Sequence, residues 1–152
     1  MEFQIMFAKL NAEYAKKTND LKARKQALES LKHDKLQYVD DKYHNEKRDY
    51  LVEMAQNRKK KEGLALDDPK RADITDEIRN IEDKLNLLRD ERDIEARRIV
   101  GETFAEMTQL EEEGRRINEW LEDEKIKIME KQWEATEARK KQQQEGATVV
   151  IP

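Results

Sequence analysis

The sequence contains no cysteine, only two prolines and only four glycines in 152 residues. Without cysteine there is no disulfide, no thiolate nucleophile and no thiolate metal ligand, a usage that fits a reducing compartment. Aromatic residues are scarce, at 6%, and no apolar run approaches the roughly 20 residues of a membrane-spanning helix. The opening stretch MEFQIMFAKL has an acidic second residue and no basic segment ahead of a long apolar core. No secretory signal is read there, and the expected location is cytoplasmic or within a particle assembled in the cytoplasm. The phosphate-cradling GxxxxGK[ST] loop, GxGxxG, HExxH, GxSxG and the EF-hand loop are all missing.

What fills the chain is charge. Asp, Glu, Lys and Arg make up 43% of the residues against 36% for the apolar set, and the mean hydropathy is −1.14. Such a composition suits either a disordered chain or long helices bathed in solvent, and periodicity decides between them. A net charge of −4 argues against nucleic acid as a general partner. The charge is unevenly spread: residues 1–62 are net basic and residues 63–152 net acidic. The two halves therefore attract, which favours their lying side by side.

The apolar residues recur at helical spacing. Phe3, Phe7, Leu10, Tyr14, Leu21, Leu28 and Leu31 mark one stripe, followed by Leu36, Val39, Tyr43, Tyr50 and Met54. Several recur at intervals of eleven, a repeat of ~3.67 residues per turn that replaces the left-handed heptad supercoil with a straight or faintly right-handed one. In the second half Ile74, Ile78, Ile81, Leu85 and Leu88 form a heptad seam, and Leu88, Ile99, Leu110 and Leu121 then step by eleven. No alternating stretch of useful length competes. The pattern predicts an all-α, coiled-coil-like antiparallel hairpin with mixed seven- and eleven-residue repeats, its helices at about 2–62 and 69–145.

The join is KKKEGLALDDPKR, residues 59–71. Lys59, Lys60 and Lys61 suit the negative end of a helix dipole, and Gly63 is expected to end that helix in the left-handed conformation. Asp68 and Pro69 read as N-cap and first residue of the next helix. The turn at 63–68 has the length of an αα-hairpin loop. It sets a register in which Met54 faces Ile78, Tyr50 faces Ile81, Tyr43 faces Leu88, Leu21 faces Leu110, Leu10 faces Leu121 and Phe3 faces Ile128. At 1.5 Å per residue the helices would be roughly 90 Å and 115 Å long, so the second overhangs the first and carries Trp133 with it.

Mid-seam positions hold Lys32, Lys35, Arg92 and Glu95, and the apolar Ile5, Met6, Ile94, Trp120 and Ile126 fall off the seam. Two helices so patterned bury only a narrow stripe, which points to cover by another subunit. Gly101 and Gly114 interrupt the second helix. Close approach of a neighbouring backbone is expected at Gly101, opposite Ser30, while Gly114 has no assigned reason.

Candidate chemistry is thin. His33 and His44 share a face, and Asp41 lies one turn before His44, but the pairs of E-x-x-H motifs that build di-iron helices are missing, so these residues read as solvated surface. The carboxylates stand beside Lys and Arg at helical spacing, the usual exposed pairing. RKKK at 58–61, Arg97–Arg98 and Glu111–Glu112–Glu113 likewise read as helix-end or solvated charge; the acidic run could instead meet a basic partner. No catalytic, cofactor or metal residue is assigned, and no enzyme activity is expected.

The candidate partner-binding residues are Trp120, Trp133, Val149, Val150 and Ile151. Trp120 can be core or anchor; Trp133 fits an interface anchor better. After Gly146 the segment ATVVIP is expected to leave the helix as a short extended docking tail, 146–152, adding a strand to a neighbour. In outline the hairpin resembles the stalk proteins of flagellar and type III export ATPases and the tentacles of prefoldin, without the β-hairpins that prefoldin places between its helices. That resemblance implies a stalk- or chaperone-type binding module. The residues themselves favour a structural or assembly protein, a rod or clamp docked among other protein subunits of a multi-copy complex such as a virus particle. No membrane partner is expected.

Overall fold

The computed structural model describes residues 2–149, the last three by their backbone alone. The chain forms an all-α helical hairpin. Helix α1 runs over Glu2–Glu62 and helix α2 over Lys70–Val149, with no strand among the described residues. None of these helices is long and apolar enough to cross a membrane. The chain divides into two compact units. One spans Ala27–Glu106 and holds the turn; the other joins Met1–Gln26 to Met107–Pro152.

The eleven-residue period is visible as burial. Leu10, Leu21 and Met54 of α1 are buried, and so are Leu88, Ile99, Leu110 and Leu121 of α2. Between Leu21 and Met54 the same phase falls on Lys32 and Tyr43, both half-buried. A period close to the natural helical one brings the buried side chains back to one direction of each helix.

In the turn-bearing unit the apolar core comprises Met54, Ile81, Leu88 and Ile99. Two polar residues are buried with them, Asn57 and Thr103. Thr103 satisfies its hydroxyl by donating from Oγ1 to the Ile99 carbonyl, at 2.8 Å, so its burial leaves no donor unpaired. Of the charged mid-seam positions, Lys35 is exposed and the other three are paired. Arg92 donates to Asp40 Oδ1 from Nε at 2.9 Å and from Nη2 at 2.7 Å. Its guanidinium also lies 5.7 Å from the Tyr43 ring centre. Lys32 pairs with Glu29 at 3.3 Å, and Glu95 with Arg98.

The turn is built as expected on one side and differently on the other. Asp68 Oδ1 accepts the Lys70 amide at 3.0 Å, the N-cap bond that satisfies an orphan donor of the new helix. Gly63, by contrast, is not left-handed: no glycine described has a positive φ. The Gly63 amide still bonds the Lys59 carbonyl at 3.3 Å, and the Leu64 amide bonds Lys61 at 3.1 Å. The first bond continues the α pattern and the second tightens it to a 3₁₀ turn. Further bonds come from the other helix, because Arg71 Nη1 donates a second bond to Lys61 O at 3.2 Å and one to Leu64 O at 3.0 Å. A left-handed cap is unnecessary when a guanidinium supplies the donors.

Two further expectations are corrected. Gly101 is exposed, and a Cβ built on it would meet nothing within 4 Å, so no backbone among the described residues packs against it. The close approach is at Gly114, where a Cβ would stand 3.1 Å from Leu21 Cδ2. At the other end α2 does not stop at Gly146 but continues to Val149. The backbone of residues 146–149 is thus helical rather than extended, since one glycine weakens a helix by only about 1 kcal/mol and need not end it. Val150, Ile151 and Pro152 lie outside the described residues.

Candidate functional site

The unit that joins the start of α1 to the C-terminal part of α2 carries the residues singled out for partner binding. Its core is Leu10, Leu121 and Ile128, against which Phe3, Met6, Phe7, Tyr14 and Trp120 pack. Leu10 thus shares a cluster with Leu121 and Ile128, and Phe3 packs against that cluster. Polar contacts fix it further: Tyr14 Oη donates to Asn118 Oδ1 at 2.8 Å, and Arg24 grips Glu113 with two bonds, of 2.6 and 3.3 Å. A forked guanidinium–carboxylate contact of this kind holds orientation as well as charge.

Trp120 belongs to this internal packing. Its ring lies against the core cluster, and Lys17 Nζ stands 3.8 Å from the ring centre on its open side. That places a cation over an aromatic face, an attraction that further occupies the indole. Trp133 is different. With Ile126 and Met129 it forms a stripe at i, i+3 and i+7 on the face of α2 turned away from Leu121 and Ile128, since those intervals repeat one helical direction. The three side chains are 51% (Ile126), 58% (Met129) and 65% (Trp133) exposed. Val149 is the last residue of α2; Val150 and Ile151 fall outside the described residues.

The acidic run beside this unit's core is engaged within the chain. Glu112 accepts a hydrogen bond from Arg115 and lies 3.9 Å from Arg116, while Glu113 holds Arg24. The hydrogen bond from Arg115 holds the Glu112 carboxyl below its ordinary value; desolvation opposes it, and the charges of Arg115 and Arg116 add to the lowering. Lys127 is raised in the same manner by its bond to Glu124, at 3.0 Å.

The remaining candidate chemistry lies in the turn-bearing unit. His33 and His44 are exposed, and the His44 ring lies 5.4 Å from the Tyr43 ring. Among the described residues no group of three or more His, Cys, Asp and Glu side chains is placed to hold a metal ion. Two open hollows flank Tyr38. One is lined by Tyr38, Tyr43, Glu46, Leu88 and Arg92 among others, and one by Asp34, Lys35, Val39, Ile99 and Glu102 among others. Both carry mixed charge on a helical surface. The Arg71 cap at the turn is the structural role that the sequence did not indicate; its only signal was an arginine two residues past the Asp68–Pro69 pair.

No family model matches the chain, and comparison with curated proteins and with solved structures finds no match.

Proposed function

We propose that this chain is a non-enzymatic structural protein, a helical clamp or spacer that docks into a larger multi-subunit assembly, such as a virus particle, through the end of the hairpin carrying Trp133. The observation that carries this reading is the Ile126–Met129–Trp133 stripe. Large apolar side chains clustered on one solvent-facing helical face are costly to leave in water, and a tryptophan among them is the residue type most enriched at interface hot spots. Some neighbouring charges are paired locally, Lys125 with Glu122 at 3.7 Å and Lys127 with Glu124 at 3.0 Å. Val149, Val150 and Ile151 extend the same end of the chain with an apolar terminus suited to the same docking surface.

The test is incorporation into the native assembly. Trp133→Ala, with Ile126→Ser as a second variant, should lower the fraction recovered with the assembly while circular dichroism of the free chain stays unchanged. Deletion of residues 146–152 should do the same if the terminus contributes. Undiminished incorporation of the tryptophan variant sinks the proposal. Stimulation of an export ATPase by the purified chain would move it to the stalk-type class instead.

A further inference from the structure

A second apolar line lies in the turn-bearing unit, on the solvent side of α2. Leu87, Ile94 and Gly101 follow one another at intervals of seven, with Leu87 58% and Ile94 64% exposed. Leu88 and Ile99, which are buried, point to the opposite side. The space over Gly101 is open, with nothing within 4 Å of a Cβ position, and beside it a shallow, mostly apolar hollow is formed by Ala96, Val100 and Phe104. An exposed glycine in mid-helix destabilises that helix and gains nothing inside this chain.

The charges beside this line are ordered by flank. At 100° per residue, Asp90 and Arg97 fall on one side of Ile94, and Glu91 and Arg98 on the other. Arg98 has Glu95 as a neighbour. Asp90, Glu91 and Arg97 make no ion pair among the described residues.

We propose that this face is a homodimer interface, on which a second copy of α2 packs antiparallel about a two-fold axis through Ile94. Two-fold symmetry makes the patch its own complement. In an antiparallel helix pair like flanks face each other with reversed order. Asp90 of each copy then meets Arg97 of the other on one flank, and Glu91 meets Arg98 on the second. Ile94 packs on its symmetry mate, and Leu87 seats in the space over Gly101 of the second copy. Parallel packing fails on the same charges, because it brings Asp90 beside Glu91 and Arg97 beside Arg98, acid on acid and base on base. The sign pattern therefore selects both the partner, another copy of this chain, and its direction. This interface uses no residue of the Trp133 stripe and stands independently of the docking reading above.

Sedimentation velocity of the full chain tests it. The wild type should sediment as a species of twice 18.2 kDa, and added salt should weaken it, because exposed ion pairs are screened. Asp90→Arg and Arg97→Asp should each run as monomers with unchanged helix content. Mixed in equal amounts they should recover the dimer, since arginines at 90 and 97 of one copy then face aspartates at both positions of the other. Ile94→Asp should be monomeric alone and in any mixture. A wild type that stays monomeric at every concentration overturns the proposal. So does a dimer indifferent to both charge reversals, or a pair of variants that fails to reassociate on mixing.

Discussion

Leu21 Cδ2 lies 3.1 Å from the position a Cβ would take at Gly114, while the equivalent position at Gly101 is empty to 4 Å. Two glycines in one helix therefore answer to different constraints. Replacing Gly by Ala in a helix interior gains about 1 kcal/mol where there is room. Gly101→Ala should deliver that gain in full. Gly114→Ala should deliver less, because the Leu21 methyl must give way by a few tenths of an ångström in a packed seam. Chemical denaturation of both variants, made on the monomeric Ile94→Asp background so that self-association does not enter, checks the order. Equal gains would show that Leu21 moves freely.

Gly63 offers a sharper contrast with ordinary helix ends. Its φ is not positive, and a Cβ there would meet the Lys60 and Lys59 carbonyl oxygens only at 3.5 and 3.8 Å. Gly63→Ala should accordingly be neutral or stabilising by up to about 1 kcal/mol, through a less flexible unfolded chain. A loss of that size would instead reveal a left-handed residue at this position in solution.

Arg71 closes the turn by donating to the carbonyls of Lys61 and Leu64. Arg71→Ala should cost about 1.5–3 kcal/mol, the range for hydrogen bonds that involve a charged group. The loss should be local. Hydrogen exchange should accelerate at the amides of the last turn of α1 and of residues 63–68, ahead of those near Leu10 and Leu121. Arg71→Lys should recover part of the loss, because both bonds leave the one nitrogen Nη1 and an ammonium also carries several donors on one nitrogen.

Glu112 gives the pH dependence. Its carboxyl sits below the ordinary 4.5, first because of the hydrogen bond from Arg115. A depressed folded pKa means the group's stabilising contribution is complete above 4.5 and is lost as the pH falls through the lower, folded value. Carbon-detected NMR titration should place the Glu112 midpoint below 4.5, and Arg115→Gln should move it upward. The thermal midpoint of the wild type should converge on that of the variant as the solution is acidified through that window. A midpoint unmoved by Arg115→Gln would remove the ion pair as its cause.

Much of the hairpin could be read before the structure was seen, and the reason is periodicity. Leu88, Ile99, Leu110 and Leu121 are buried at the eleven-residue steps that the sequence displays, and a repeat of that kind is insensitive to details of any one contact. Asp68 was equally legible, because an N-cap acts within two residues of itself. The end of α1 was not. Its cap comes from Arg71, and which side chain reaches the carbonyls of a helix end depends on where the second helix is placed. The tight contact expected at Gly101 falls instead at Gly114, which had no assigned reason, on related grounds. Spacing places a residue along the seam, whereas the fit of one glycine against Leu21 depends on rotation about the helix axis. At the candidate docking end the sequence separated Trp133 from the seam but left Trp120 undecided. Lys17 over the Trp120 ring is a contact between helices, and spacing along one helix cannot display it.

Ile81, the most deeply buried apolar residue among those described, still keeps 3% of its surface exposed. A core made of one stripe per helix uncovers little new apolar area when it opens. The heat capacity of unfolding should therefore fall below the roughly 12–15 cal/mol/K per residue of globular domains. The stability curve of such a protein is shallow, changing slowly with temperature on both sides of its maximum. Chilling would weaken this hairpin little, and warming would loosen it gradually across a broad melt.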